Sequence, residues 1–287
     1  MKFNINAGMA IKAFTVAGVV MAMASCQKMD TPGLGEYPAD ANPPGGPLKF
    51  YAAFDGTTTN PLMNAVDSIR ANFASDNPLT SVDGVSGKAV KGESKKFIKY
   101  AKPNDWGRTA KSFTIAFWYK RDGQTKNNKG GNGPEYPISF KSSNGHWSGA
   151  NLFVIIEGNN EACAVKVMIA DKTNADNWFT WENSNTIPGM LDNKWHHVAL
   201  TYSETTSEMT LYLDGVANTN VRKWGTHGPI NIDESKISEM RIGAGPGTNY
   251  DSDDWLSSSW KGELDQFRMY AVALPVADIQ ALVSGKK

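Results

Sequence analysis

The sequence predicts an all-β domain: a sandwich of two antiparallel sheets with a short C-terminal helix. Three observations carry that expectation. Short apolar segments with a two-residue alternation recur along the chain between turn residues. One pair of them, Trp195–Tyr202 and Met209–Leu213, flanks the polar run Ser203–Glu208 and reads as a β-hairpin closed by Asp214-Gly215. A helical spacing is clear in one late segment, Pro275–Leu282, where Pro275 suits a first turn, Ile279 and Leu282 share a face, and Gly285 can stop the helix.

Taken in order, the chain begins with a targeting segment, Met1–Ser25. Lys2 and Lys12 supply positive charge, and Ala13–Ala24 carries no charged residue. That run is shorter than the roughly 20 apolar residues a bilayer span needs. It ends in Met23-Ala24-Ser25-Cys26, which resembles a bacterial lipobox, where the cysteine thiol is acylated and becomes the new amino terminus. An ordinary signal peptide with an incidental cysteine is the competing reading. On the lipobox reading, residues 1–25 are a lipoprotein signal peptide and Cys26 is the lipidation site. Residues 26–47, with Pro32, Pro38, Pro43, Pro44 and Pro47, are then an extended tether. The expected location is a lipid anchor in the bacterial envelope, at the outer membrane.

Residues 48–287 read as one domain. Its first strand is Leu48–Phe54, turned by Asp55-Gly56, and a short helix is placed around Leu62–Phe73. Strands follow at Phe97–Tyr100 and Ser112–Lys120; in the second, Phe113, Ile115, Phe117 and Tyr119 alternate with Thr114, Ala116, Trp118 and Lys120. Asp122–Pro134 is a Gly/Asn/Lys-rich loop, and Ile138–Lys141, Leu152–Ile156 and Val165–Ile169 are further strands. In the hairpin, His196, Val198, Leu200 and Tyr202 share one face, and Trp195, His197, Ala199 and Thr201 the other. Trp118 and Trp195 are assigned to the core.

Nine Trp, twelve Phe and nine Tyr supply that core without a disulfide. With Cys26 as anchor, Cys163 is the remaining cysteine, and its apolar neighbours in ACAVKVMI mark a buried, inert thiol. The chain balances 29 basic against 29 acidic residues, and no stretch joins clustered Lys/Arg to a groove motif. Nucleic acid is therefore not the expected partner.

WHHVALTY…MTLYLDG resembles the central hairpin of laminin G-like jelly rolls, part of the concanavalin A-like lectin/glucanase superfamily. FYAAFDG (Phe50–Gly56), SFTIAFWYKR (Ser112–Arg121) and RIGAG…WKGELDQFRMYAVALPVADIQAL (Arg241–Leu282) match in the expected order. The resemblance covers roughly Leu48 to Gly285 and implies a concanavalin A-like jelly roll. The family includes sugar-binding modules, adhesion domains and, more distantly, β-glucanases, so the fold leaves function open.

Glucanases of this fold carry Glu, Asp and Glu on alternate positions of one strand. Here Glu263 and Asp265 stand at that interval, but the third position is Phe267 or Arg268. The general acid is missing, and Arg268 is expected to hold both carboxylates ionised. Gly262–Arg268 therefore reads as the closing strand. The resemblance also implies a structural calcium at Asp265, with carbonyls near Asp55 or Gly87 as partners. A hydrogen-bonded acid capping the sheet edge is the alternative.

Tryptophans in polar loops give the best functional clue. Asn144-Gly145-His146-Trp147, Asp176-Asn177-Trp178-Phe179-Thr180-Trp181 and Asp253-Asp254-Trp255 set indoles beside amides and carboxylates. A sugar ring has an apolar face that stacks on indole and a hydroxyl rim that bonds such groups. Asn144, Trp147, Trp178, Trp181 and Trp255 are thus candidate ligand contacts; the alternative is that the indoles plug the ends of the sandwich. Asp251, Asp253 and Asp254 read as a solvated loop. Adjacent His196 and His197 point to opposite faces and cannot chelate one metal, while His146 and His227 lie in loops with no nearby acid. No HExxH, CxxC pair, GxSxG or phosphate loop occurs.

The expected function is non-catalytic carbohydrate binding by an envelope-anchored lipoprotein. A protein-binding adhesion or scaffold module is the alternative. A glycoside hydrolase, with Glu157 or Glu182 meeting Glu263 across the sheet, is the third.

Overall fold

Alternating strands bury one face each, and two sheets that do so against each other make a sandwich. The computed structural model describes residues 45–55, 62–67, 79–121, 134–172, 175–249 and 254–285. All of them lie in one compact unit, Asn42–Lys287. The expected signal segment, Cys26, nearly all of the tether, residues 68–73 of the expected Leu62–Phe73 helix and loop residues 122–133 lie outside the described residues; the described part of that segment, Leu62–Asp67, is turn rather than helix.

The first eight strands are β1 (Leu48–Ala52), β2 (Thr80–Asp83), β3 (Lys88–Lys91), β4 (Ile98–Tyr100), β5 (Phe113–Lys120), β6 (Glu135–Ser142), β7 (Ala150–Gly158) and β8 (Cys163–Ala170). Then come β9 (Asp176–Trp181), β10 (Trp195–Ser203), β11 (Glu208–Leu213), β12 (Val216–Ala217), β13 (Arg222–Lys223), β14 (Ile237–Ile242) and β15 (Glu263–Tyr270). Helix α1 is the single turn Trp106–Thr109, and α2 is Val276–Gly285. Among the described residues, one sheet has nine strands in the order β12-β11-β10-β5-β15-β3-β2, with β1 beside β15 and β13 beside β11. The other has six, in the order β4-β14-β6-β7-β8-β9. Every pairing is antiparallel. The all-β jelly-roll sandwich read from the sequence is the fold observed.

The core lies where the two inner faces meet. From the nine-stranded sheet, Val198, Leu200 and Tyr202 pair in register with Phe117, Ile115 and Phe113. From the six-stranded sheet, Leu152, Val154 and Ile156 face inward beside Val165, Val167 and Ile169. Within the nine-stranded sheet Phe113 stacks on Tyr202 at 5.9 Å and Phe117 on Phe267 at 5.6 Å, and Phe179 of the other sheet meets Tyr202 edge-on at 5.9 Å across the layers. α1 is too short for a helical period to show in the sequence. It inserts Trp106 edge-on to Phe140, and the Trp106 indole N–H donates to the Tyr270 carbonyl.

Three readings need correction. Asp176–Trp181 is strand β9, not a loop, because β8 supplies a complete pairing edge. Trp195 is half-buried beside the Lys120 ammonium rather than in the core. Trp118 is buried, but against His197 on the outer face of its sheet, since it alternates with Phe117. The unread strands β2, β3 and β14 are short or carry charged residues within the alternation.

The outer faces differ. On the nine-stranded sheet, α2 sets Ile279 against Ala116, Ala199 and Tyr212. On the six-stranded sheet, Tyr136, Phe153, Ile155 and Met168 form a second apolar cluster, joined by Trp178 and Leu256.

Glu135, at the start of β6, is fully buried; it accepts from the Lys261 N–H and the Tyr119 hydroxyl. Burial, only partly offset by those bonds, pushes its carboxyl up to about 8. A folded-state value above the unfolded one stabilises the protein fully below the unfolded pKa, and that stability is lost as pH rises through 8. Glu135→Gln keeps an acceptor without the charge. Thermal melts should show little difference from the parent at pH 5 and a clear gain for the variant at pH 9.

Candidate functional site

The outer face of the six-stranded sheet is built in rungs, fixed by strand register. Phe153, Met168 and Trp178 stand side by side on β7, β8 and β9. Ile155, Lys166 and Thr180 form the next rung, and Glu157 lies opposite Ala164 beyond it. Two further segments deliver indoles to the first rung. After β14, residues 245–249 and 254–258 lie over the sheet, the first of them held by the Arg241 guanidinium on the Gly245 and Gly247 carbonyls. Tyr136 donates to the Trp255 carbonyl at 3.1 Å, and the Asp254 side chain accepts from the Leu256 N–H. Trp255 therefore sits 6.1 Å from Phe153 and 6.3 Å from Trp178.

The third indole comes from the β6–β7 turn. Asn144 Oδ1 accepts from the His146 N–H and its Nδ2 donates to the Ala150 carbonyl, so the turn is tied across its base. His146 is buried, with Nδ1 at 2.7 Å from Ser148 Oγ and Nε2 at 3.3 Å from Asp176 Oδ2. This lifts Trp147 outward, 61% exposed, to 6.2 Å from Trp255. Trp255 is itself 39% exposed. Trp147, Trp178 and Trp255, from three separate segments, form one aromatic platform.

Two candidates do not join it. Trp181 lies three residues from Trp178 on the same strand and so faces the core; it is fully buried, and its indole N–H donates to the Asn220 carbonyl at 2.8 Å. Asn144 spends its side-chain amide on the turn and acts as a positioning residue for Trp147.

The sequence reading missed what borders the platform. Lys166 Nζ lies 2.7 Å from Glu157 Oε1 and 2.9 Å from Glu182 Oε2. Burial pulls its ammonium down, but the bonds and charges of both carboxylates outweigh that and hold it above its ordinary range. Glu157 and Glu182 thus meet each other through Lys166, and not Glu263, which lies on the other sheet. Beyond this rung opens a hollow of about 590 Å³ lined by Glu157, Asn159, Ala164, Glu182, Asn183 and Thr186.

The closing strand presents a different cluster. A bulge at Gln266, with φ 47°, shifts the β15 register and turns Asp265 and Gln266 the same way. Asp265 is fully buried; its Oδ2 accepts from the Val85 N–H at 2.8 Å and the Ser86 N–H at 3.4 Å, while Oδ1 has no hydrogen-bond partner. Asp55 Oδ1 accepts from the Lys88 N–H at 2.9 Å. Both carboxylates thus grip the β2–β3 turn. That turn closes through a Gly84 N–H to Gly87 carbonyl bond, and Gly87 has φ +64°. A Cβ on either glycine would collide with a carboxylate oxygen, Asp265 Oδ2 at Gly84 and Asp55 Oδ1 at Gly87. Oxygen donors and an unsatisfied buried Oδ1 fit a hard cation. Among the described residues, no three His, Cys, Asp or Glu side chains gather as a ligand set, so backbone oxygens would complete such a site.

Arg268 does not hold Asp265 ionised. It donates to Gln266 and lies over the Tyr51 ring, and burial pushes the Asp265 carboxyl up to about 6. Glu263 pairs instead with Lys120 at 3.1 Å.

The histidines also differ from expectation. His146 faces Asp176, and His227 lies 3.3 Å from Asp171, so both have acids at hand. His196 is bracketed by Asp192 and Asp214, while His197 is buried on the opposite face, as their adjacency requires. Burial pushes the Cys163 thiol up to about 12, as an inert core cysteine requires.

A family model described as the concanavalin A-like lectin/glucanase superfamily, the laminin G type, matches residues 98–280. The chain belongs to this superfamily. No curated protein matches it. Solved structures similar to this concanavalin A-like chain include the binding domain of botulinum neurotoxin DC in complex with rat synaptotagmin II (14% identity, TM-score 0.54, 84% of this chain and 52% of that one). The same binding domain in complex with SialylT gives 13% identity, TM-score 0.55 and coverage of 84% and 52%. The binding domain of Paraclostridial Mosquitocidal Protein 1 gives 17%, 0.54, 83% and 52%. The chain spans about half the length of these structures, and at such identities the likeness is one of fold.

The two kinds of tryptophan are separable by stability. Trp181→Ala should cost about 3–5 kcal/mol by opening a core cavity. Trp147→Ala should stay within about 0.5 kcal/mol, as exposed positions do. Urea unfolding of both variants checks this.

Proposed function

We propose that this concanavalin A-like domain binds carbohydrate without transforming it, using the platform of Trp147, Trp178 and Trp255. The convergence of three indoles on one face carries the proposal. Two of them are exposed at cost to solubility, in the arrangement a sugar's apolar face would cover. Asp176 and Asp254 border the platform and can accept from hydroxyls. One fold neighbour is described as a binding domain in complex with SialylT, which supports a binding role by analogy of fold. Against catalysis, Glu263 is paired to Lys120, Asp265 is buried in its turn, and Glu157 and Glu182 share Lys166. None of these four described carboxylates is thereby arranged with another as donor and nucleophile. A glycan array is the test: the parent should give hits, and Trp178→Ala and Trp255→Ala should each weaken them about tenfold or more. An empty array, or indole variants that bind like the parent, would instead favour the protein-binding reading.

We further propose that the domain hangs from a lipid anchor at Cys26, tethered to the outer membrane of a bacterial envelope. The MASC sequence and the proline-rich stretch after it support this. Cys26→Ala should release the protein from the detergent phase; unchanged partitioning would sink the lipobox reading.

One structural calcium would sit at Asp265 Oδ1, with Asp55 and the Gly87 turn beside it; its chemistry would be to neutralise the two carboxylates and clamp β1, β15 and the β2–β3 turn together. Calcium should raise the melting temperature and EDTA lower it, with the response absent in Asp265→Asn. Identical melts in calcium and EDTA would remove the ion from the account.

A further inference from the structure

Resting on the platform reading, we infer that the ligand is an uncharged, chain-like oligosaccharide lying along β9, and that Lys166, Glu157 and Glu182 form a second subsite for it. Strand geometry supplies the first argument. β9 displays Asp176, Trp178 and Thr180 outward, and Glu182 follows in the same phase. Alternate residues are about 7 Å apart, so Trp178 and Glu182 are separated by about 14 Å along the strand. That span exceeds one sugar ring.

The accessible surface follows the same line. Trp178, Thr180, Lys166, Glu157 and Glu182 are all partly exposed, whereas Phe153, Ile155 and Met168 farther into the sheet are closed over. β9 is the edge of the described sheet, so nothing in the strand order stands beyond it on that side. The track ends in the 590 Å³ hollow bordered by Asn159, Glu182 and Asn183, which carry both donors and acceptors.

Chemistry along the track changes from stacking to hydrogen bonding. The indole end offers apolar faces, and the far end offers two carboxylates held at fixed positions by one ammonium. Ion-paired carboxylates already ordered by Lys166 accept hydroxyl bonds without paying again for side-chain ordering. Asp176, Glu157 and Glu182 outnumber Lys166 along the track. An anionic glycan would meet like charge there, so a neutral one is selected.

Isothermal titration of the full chain with cello-, laminari- and manno-oligosaccharide ladders, one to six sugars long, tests this; sialyllactose and a sulfated oligosaccharide serve as anionic probes. Within a bound ladder, affinity should rise about tenfold or more from the disaccharide to the tetrasaccharide and then level off. Glu182→Gln and Glu157→Gln should each weaken the tetrasaccharide about fivefold, one hydrogen bond's worth, and leave the disaccharide unchanged. Trp178→Ala should weaken binding about tenfold or more at every length. Affinity independent of length, glutamine variants that bind the tetrasaccharide like the parent, or tighter binding of an anionic probe would overturn the track. The platform would stand in those cases if Trp178→Ala still weakened binding by that factor. If no member of any ladder and neither anionic probe binds, the platform reading falls with it.

Discussion

The register of β9 against β8 is the constraint on which the rest of the candidate site depends. Met168 opposite Trp178 and Val165 opposite Trp181 fix which aromatic residues of a single strand meet solvent. Side chains alternate with period two, so a slip of one residue would drive Trp178 inward and push Phe179 and Trp181 out. Trp181 locks the register from inside: its ring is fully buried and its N–H has a carbonyl partner, so exposing it would lose both. The platform outside is thus held in place by the core inside. The same register brings Lys166 beside Thr180 and within reach of Glu182.

The two sheets use their outer faces for different ends. On the nine-stranded sheet, Ala116 and Ala199 are direct cross-strand partners, and their small side chains leave room for α2 to set Ile279 down between them. Gly215, with φ +80°, lies against Gln280 and Val283 of the same helix. That part of the face is closed by the chain itself. The six-stranded sheet carries larger side chains outward, and its cover comes from short segments at residues 143–149 and, after β14, at 245–249 and 254–258. Each is tied down by side-chain bonds to backbone rather than by a packed helix. Both bring an indole. Loops held on a rigid sheet are where binding residues concentrate.

How much of this could be read in the sequence depends on how local the signal was. The hairpin Trp195–Leu213 could be read because its alternation is clean and its turn residues sit at the right place. β9 could not: Trp178, Phe179 and Trp181 put three aromatics within four positions and hide the alternation, while Asp176, Asn177 and Asn183 mimic turn chemistry. Choosing tryptophans beside amides and carboxylates singled out Trp147, Trp178 and Trp255, but composition alone could not separate them from Trp181, whose face is decided by pairing. Lys166 gave no signal at all. It reads as one charged residue in an apolar strand, and only the β7 and β9 registers bring Glu157 and Glu182 to it. Asp265 was found through family resemblance, but its environment, a bulge and a glycine turn from another part of the chain, is invisible to spacing.

Indole NMR tests the platform most directly. The Nε1–H signals would be assigned by single Trp→Phe substitutions, and the spectrum recorded during titration with a neutral glycan that the protein binds. The signals of Trp147, Trp178 and Trp255 should move together with the binding curve, while those of the buried Trp106, Trp181 and Trp260 stay in place. Binding measured by calorimetry with those three signals unmoved, or with changes confined to backbone amides of the Gly84–Lys88 turn, would contradict the assignment of the ligand to the six-stranded sheet.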